Sequence, residues 1–305
     1  AATDNNNGTA PFGYYPSIGF NCRVDFIGRL NDGDMLTLSE RGRKVLNGSW
    51  RSSNPDPNLI LSGGQQEIYQ EIYENGTFTC FAAGNGHGAP WNYVYPSSYD
   101  YVFSTTGIRY GNPTAGWHDD GTDTVNTHQH NPRVDIAAPG IGVGGITYNL
   151  SDTTGLWKWH TWDGCWGTSC ASPLTAGTAA LILSVDQCYT PYQLEYILKK
   201  SANVDIYNIA ANMKYAGRLG AGGLDAGAAL AMVDDDPNNP NRFTCNDATT
   251  QTFFIEGIDI NTVCAPGHSS NSVNPVLTPV LRNGMPNYTY RWEYLPGNNV
   301  TLSAL

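Results

Sequence analysis

Gly167-Thr168-Ser169-Cys170-Ala171-Ser172-Pro173 opens an apolar segment that continues over Leu174–Val185. No charged residue occurs from Gly164 to the end of this segment, and a helix that is apolar on every side is a buried one. Pro173 suits the first turn of such a helix, where a missing N–H costs nothing. Ser169 would then lie at the helix N-terminus, whose dipole favours a reaction that develops negative charge on an oxyanion.

A serine before an apolar run is also common as an ordinary helix cap, and a lone serine would favour that interpretation. The complete heptapeptide changes the balance, because Gly-Thr-Ser-x-Ala-Ser-Pro closely resembles the nucleophile motif of the subtilisin-like serine proteases. The resemblance implies an α/β fold with a central parallel sheet flanked by helices. It also implies hydrolysis of polypeptide substrates through an acyl-enzyme on Ser169.

A second motif follows a predicted strand over 77–81. Ala82-Ala83-Gly84-Asn85 is similar to the segment in which subtilisin-like enzymes carry the asparagine that donates a hydrogen bond to the oxyanion. Asparagine before glycine is also a common turn, but with Ser169 downstream in the family order we interpret Asn85 as the oxyanion donor. Sedolisins share a Ser-x-x-x-Pro helix and have an acid at this position, so Asn85 argues against them.

The catalytic triad is incomplete in this sequence. Subtilisin-like triads run Asp, His, Ser along the chain, yet the first histidine follows Asn85. The stretch 1–6 resembles the end of the family's His-bearing helix, so the resemblance implies that the catalytic Asp and His come from sequence upstream of Ala1. The histidines that are present are expected to be surface or packing residues: His87, His118, His128, His130, His160 and His268.

Other segments resemble the substrate-binding parts of the family. Asn47-Gly48-Ser49 is similar to the strand end that pairs with the substrate backbone, and Arg51 follows where the family has small residues. If Arg51 borders the specificity pocket, we expect cleavage after acidic or small polar residues. An aromatic cluster at 156–162 forms either a wall of the cleft or a packed loop. The predicted substrate-binding residues are Ser49, Trp50, Arg51, Ala83, Gly84 and His87.

Strands alternate with helices through most of the chain, which predicts a largely parallel sheet. The patterns predict strands at 22–28, 44–50, 77–81, 101–104 and 133–137, and helices at 35–41, 65–74, 191–201 and 225–233. We divide the chain into a peptidase domain over 1–233, a linker over 234–241 and a β-rich segment over 242–305. The last of these has period-two alternation at 287–294 and resembles the start of an Ig- or PKD-like module.

Composition restricts the class of protein. Charged residues make up 14% of the 305 residues, against roughly 25% in a typical domain, which suits a loop-rich protein that is secreted or on the cell surface. A net charge of −11 argues against nucleic acid or an anionic membrane as a partner. We expect no membrane-spanning segment, because no apolar run reaches about 18 residues.

The seven cysteines include no Cys-x-x-Cys pair and indicate no zinc site. Cys170 either pairs with Cys165 or is an unpaired buried thiol, and Cys245 could pair with Cys264. We assign no metal ligand and expect no cofactor in the chemistry, while the acidic loops at 119–120 and 234–236 fit either structural calcium or simple solvation. A catalytically inactive surface scaffold or adhesin with the same fold stays open as the alternative function.

Overall fold

The computed structural model describes residues 31–51, 56–61, 63–86, 89–109, 128–141, 143–148, 159–234, 239, 242–244, 255–260 and 277–281. The chain divides into two compact units, Ala1–Thr250 and Gln251–Leu305. The predicted strand at 22–28 and the period-two stretch at 287–294 lie outside the described residues. The predicted domain boundaries stay predictions.

A parallel sheet forms the centre of the first unit. Its strands follow chain order, and each is parallel to its neighbours. They are β1 (Val45–Gly48), β2 (Phe78–Ala82), β3 (Phe103–Arg109) and β4 (Ile136–Ile141). The parallel sheet predicted from the alternation of strands and helices is confirmed, with strand bounds shifted by up to a few residues.

Helices cover both faces of this sheet, as a buried parallel sheet requires. On one side lie α1 (Asp32–Glu40) and α2 (Gly63–Glu74), and on the other lie α3 (Thr168–Val185), α4 (Pro191–Lys200) and α5 (Ala226–Val233). Strand β2 serves both layers, because successive side chains of a strand point to opposite faces. Phe78 and Cys80 pack into the core beneath α3, whereas Phe81 packs into the core beneath α2.

Helix α3 is the central helix of the fold and packs against all four strands of the sheet. Its 18 residues are long and apolar enough to cross a membrane by length and composition alone, so the expectation that no run reaches this length is wrong. The helix is nevertheless 61% buried inside the protein, which is the property of a core helix.

The other described elements are short. Strands β5 (Val143–Tyr148) and β6 (Trp159–Cys165) form an antiparallel pair, and two 3₁₀ turns follow α4 at Val204–Asn208 and Met213–Tyr215. After α5, Phe243 donates its N–H to the Met232 carbonyl at 2.6 Å. In the second unit, β7 (Ile255–Ile260) pairs antiparallel with β8 (Leu277–Leu281); the Ig- or PKD-like assignment stays a prediction.

A buried ion pair fixes α4 to the sheet. Asp135 is 1% exposed, and its carboxylate accepts from the Ser104 N–H at 2.7 Å and pairs with Lys199 Nζ at 2.8 Å. A buried carboxylate without its cation costs several kcal/mol. Because Asp135 directly precedes β4, the pair attaches α4 to the amino end of that strand.

We expect Lys199→Met to lower the free energy of unfolding by about 3 kcal/mol, because the buried Asp135 carboxylate would lose the positive charge of Lys199. Lys200→Met is the matched control: Lys200 is the next residue of the same helix and is exposed, so its loss should cost less than about 1 kcal/mol. Urea denaturation of the full-length protein followed by tryptophan fluorescence measures both. Equal losses in the two variants would contradict a stabilising role for the pair.

Candidate active site

Ser169 is the second residue of α3, which begins at Thr168. Pro173 therefore lies inside the helix rather than in its first turn, so that part of the sequence prediction is wrong. In an α-helix the N–H of residue 173 would donate to the carbonyl of residue 169, and proline has no N–H. The carbonyl of Ser169 instead accepts a hydrogen bond from Ser49 Oγ at 3.1 Å.

The contact between Ser49 and Ser169 runs in both directions. Ser169 Oγ donates to the Ser49 carbonyl at 3.4 Å, which is a long hydrogen bond for two oxygens. Ser49 follows directly on β1, so the pair joins the carboxyl end of this strand to the start of α3. Among the described residues, this long bond is the one hydrogen bond that the Ser169 hydroxyl donates, so the hydroxyl can rotate without losing a strong partner.

A second connection between the same two elements lies one turn further along the helix. Ser172 Oγ donates to Asn47 Oδ1 at 2.7 Å, and Asn47 Nδ2 donates to Ser49 Oγ at 3.2 Å. Ser172 is fully buried. The position of the Ser169 main chain relative to β1 is therefore fixed from two sides.

Asn85 lies beyond the end of β2, and its amide is oriented by Thr168. The Thr168 N–H donates to Asn85 Oδ1 at 2.9 Å, and the Thr168 hydroxyl reaches the same oxygen at 3.0 Å. A backbone N–H can only donate, so the oxygen of the amide must face Thr168. The same hydroxyl accepts from the Gly84 N–H at 3.0 Å. Asn85 Nδ2 is thus left as a donor beside the N-terminus of α3.

Gly167 allows this close approach of Asn85 to the helix. Its φ of +112° is strained for residues with a side chain, and a Cβ there would lie 2.8 Å from Asn85 Nδ2. The Gly167 N–H donates to the Gly140 carbonyl at 2.7 Å, which anchors the turn to the end of β4. A glycine is needed at this position both for its backbone and for its missing side chain.

A pocket of about 380 Å³ opens beside Ser169 and Asn85. It lies at the carboxyl ends of β1 and β2, the usual place for a site in an α/β sheet. Its described lining residues are Ser49, Trp50, Arg51, Ala82, Gly84, Asn85, Gly86, Val94, Thr168 and Ser169. The structure thus brings Ser169 and Asn85 together with four of the predicted substrate-binding residues: Ser49, Trp50, Arg51 and Gly84.

Two predicted site residues are not placed in this lining. Ala83 is buried and donates its N–H to the Thr105 carbonyl at 2.9 Å, and His87 lies outside the described residues; both roles stay predictions. Sequence reasoning missed Thr168 as the residue that orients Asn85, although it stands inside the nucleophile motif. It also missed Val94, which no motif marks and which folding alone brings to the pocket.

None of the ten described lining residues is a histidine or a carboxylate. His128 and His130 are buried elsewhere, at 2% and 4% exposure. Burial, with the positive charge of Arg218 as a smaller cause, lowers the pKa of His130 to about 4. Both are packing residues, as expected from the sequence. The other four histidines have side chains outside the described part of the chain.

The described cysteines are of two kinds. Cys80 is a free thiol beneath α3, and burial raises its pKa to about 12. Cys170 and Cys188 are each disulfide-bonded, so an unpaired Cys170 is wrong, while the pairs Cys165–Cys170 and Cys245–Cys264 stay predictions. Among the residues that the structure describes, no group of three or more His, Cys, Asp or Glu could hold a metal ion.

Comparison with known proteins agrees with this geometry. The sequence profile of the subtilase family, Peptidase_S8, matches residues 27–243. The chain belongs to the subtilase family. The match spans α3, Asn85 and the parallel sheet.

Two curated subtilase relatives are named as serine proteases. The halolysin-like extracellular serine protease Nep of Natrialba magadii is 34% identical over 109 residues, 36% of this chain and 16% of the relative. A protein of Deinococcus radiodurans named "Probable subtilase-type serine protease" is 25% identical over 171 residues, 53% of this chain and 21% of the relative. The chain thus spans about a fifth or less of the length of these relatives.

Among solved structures, fervidolysin of Fervidobacterium pennivorans, described as a keratinolytic enzyme related to subtilisin, is 21% identical with a TM-score of 0.48. The similarity covers 65% of this subtilase chain and 28% of fervidolysin.

We expect Thr168→Val to slow the reaction of Ser169 with a fluorophosphonate about tenfold, the effect of losing one hydrogen bond of about 1.4 kcal/mol. Thr168→Ser keeps the hydroxyl and should restore the rate to within about twofold. Thr178→Val is the matched control, because the Thr178 hydroxyl donates only within α3, to the Leu174 carbonyl at 2.9 Å. Unchanged labelling by Thr168→Val, measured by stopped-time fluorography on the full-length protein, would contradict the orienting role.

Proposed function

We propose that this chain carries the nucleophile and the oxyanion site of a secreted or cell-surface serine endopeptidase. The observation that carries the proposal is the orientation of Asn85, whose amide oxygen is held by Thr168, so that its amide nitrogen stays a donor in the pocket that also contains Ser169. An ordinary turn asparagine has no reason to be fixed in this way by the residue before a serine. The subtilase profile over 27–243 supports the same assignment.

In the proposed reaction, Ser169 Oγ attacks the carbonyl carbon of a peptide bond. Its proton passes to a general base, and the carbonyl oxygen becomes an oxyanion that accepts from Asn85 Nδ2 and from the Ser169 N–H. The Ser169 N–H is the second N–H of α3 and belongs to the first turn, whose N–H groups point out of the helix end. Collapse of the intermediate releases the amine, which takes the proton, and leaves an acyl-enzyme that water then hydrolyses.

The general base and the acid that orients it are proposed to be a His and an Asp upstream of Ala1. The described residues of the pocket include no candidate for either role. Serine is a weak nucleophile near neutral pH without such a base. The geometry of Ser169, Ser49 and Asn85 supports the other part of the proposed active site, which supplies the attacking serine and stabilises the oxyanion.

The remaining features of the proposal follow from the relatives and the composition. One relative is named an extracellular protease, which supports secretion of this protein; a position on the cell surface rests on composition alone. The substrate is proposed to be a polypeptide, with no cofactor in the chemical steps and no nucleic acid partner. Structural calcium at the acidic loops, including the one that begins at Asp234, stays a prediction.

A fluorophosphonate probe should label Ser169 in the full-length protein, because an activated serine is the group with which such a probe reacts. Ser169→Ala should abolish labelling. Ser184→Ala is the control: it removes an exposed serine of the same helix, whose hydroxyl donates to the Leu181 carbonyl at 2.6 Å. Mass spectrometry of the labelled peptide identifies the site.

The same experiment distinguishes the enzyme from an inactive surface scaffold or adhesin. Labelling lost in Ser169→Ala and kept in Ser184→Ala supports the peptidase. A folded full-length protein that takes no label, or one that keeps its label in Ser169→Ala, contradicts the proposal and leaves the scaffold as the better interpretation.

A further inference from the structure

The pocket beside Ser169 has an unusual charge for this chain. Of its ten described lining residues, Arg51 alone is charged, although the chain as a whole carries a net charge of −11. The rest of the lining consists of apolar side chains, glycine backbone and four polar but uncharged residues: Ser49, Asn85, Thr168 and Ser169. Arg51 therefore brings the one formal charge among the described lining residues to this small cleft.

The backbone that carries Arg51 is held in place by an aromatic contact beneath it. The Trp50 ring packs edge-on against Phe81, with ring centroids 5.4 Å apart, and Phe81 packs edge-on against Tyr69 at 5.8 Å. A Cβ at Gly48 would overlap the Phe81 ring, so a glycine in β1 is what lets this ring lie against the strand. Trp50 is thus a fixed wall, and the residue after it starts from a fixed position at the pocket rim.

The same pocket contains the two groups that define where a substrate carbonyl would lie. A carbonyl between Ser169 Oγ and Asn85 Nδ2 places the residue on the acyl side of the scissile bond next to the pocket. Its side chain can then enter the space lined by Arg51. The pocket volume of about 380 Å³ is within the range of ordinary small-ligand sites, so size alone does not select that side chain.

We propose that Arg51 makes this peptidase prefer an acidic residue, Glu or Asp, immediately before the scissile bond. The inference rests on the proposed function and names its substrate class. Guanidinium presents a planar fork of donors that matches a carboxylate in a two-point contact. Where the apolar side chains of Trp50, Val94 and Ala82 keep water out, that contact is strengthened. A Lys or Arg side chain at the same place would meet a like charge, and a large aromatic one would have to displace the guanidinium.

Competition from water sets the lower limit of the preference that Arg51 can give for an acidic residue. Arg51 is exposed, and an ion pair in open water is worth only about 0–1 kcal/mol, equivalent to no more than a few-fold in rate. A charge-assisted hydrogen bond inside a walled pocket gives about 10- to 100-fold. The cleavage rate of an acidic peptide, divided by that of an uncharged peptide of the same shape, therefore reports whether the carboxylate binds Arg51 inside the pocket.

The test compares peptides that differ only in Glu or Gln before the scissile bond, because these side chains have the same shape. For the full-length protein we expect kcat/KM to be at least about tenfold higher for Glu than for Gln. Arg51→Gln should bring the ratio to within about twofold, and Arg51→Lys should leave an intermediate ratio, since a point charge replaces the fork. Both rates come from one protein sample, so the ratio does not depend on how much of a variant is folded.

Arg41→Gln is the matched control, because Arg41 is exposed at the end of α1 and is not among the pocket residues; its ratio should equal that of the parent protein. A ratio near one in the parent protein, or a ratio unchanged by Arg51→Gln, overturns the specificity proposal while Ser169 labelling still stands. Absence of Ser169 labelling overturns the proposed function, and the specificity proposal with it.

Discussion

The carbonyl oxygen of Ser169 is the acceptor around which the site is arranged. Pro173 removes the N–H that would bond to it inside α3, and the hydroxyl of Ser49 takes that place at 3.1 Å. A proline in a helix interior is destabilising by about 3 kcal/mol where nothing compensates. Here the missing bond is replaced by one that crosses to the end of β1, so the helix and the strand are held at a fixed separation beside the pocket.

Further along its buried face, α3 is also attached to the sheet by polar side chains, although the core around them is apolar. Cys80 Sγ lies 3.4 Å from Ser172 Oγ and 3.2 Å from Thr105 Oγ1, and Thr105 Oγ1 donates to Thr175 Oγ1 at 3.2 Å. Buried polar groups are costly unless they are paired, and each of these has a partner. These polar contacts fix the rotation of α3 on the sheet more specifically than apolar packing could, because a small rotation would break several of them together.

Much of the fold follows from the sequence because its elements have strong local signals. Helix α4 begins after Thr190, which forms a capping box with Gln193. Strand β2 is buried at every position, as a strand inside a parallel sheet should be. The predicted place of Pro173 in the first turn of α3 is wrong, because a proline in a helical segment normally marks the first turn. Only the position of Ser49 in space explains why the proline is tolerated further along.

The candidate site also has features that local sequence motifs predict and features that only the fold reveals. Ser169 and Asn85 stand in contiguous motifs, and the family resemblance predicts Arg51 at the border of the pocket. The direction of the Asn85 amide depends on a hydrogen bond to Thr168, 83 residues away in sequence, which no local pattern contains. Val94 reaches the pocket in the same way, through packing that brings distant segments together.

The most direct test of this account is a crystal structure of the full-length protein after its serine has reacted with a fluorophosphonate. We predict a phosphonyl oxygen about 2.7–3.1 Å from both Asn85 Nδ2 and the Ser169 N–H, with the bond from Ser49 Oγ to the Ser169 carbonyl intact near its present 3.1 Å. A phosphonyl oxygen facing away from Asn85, or a Ser169 carbonyl that has left Ser49, would contradict it.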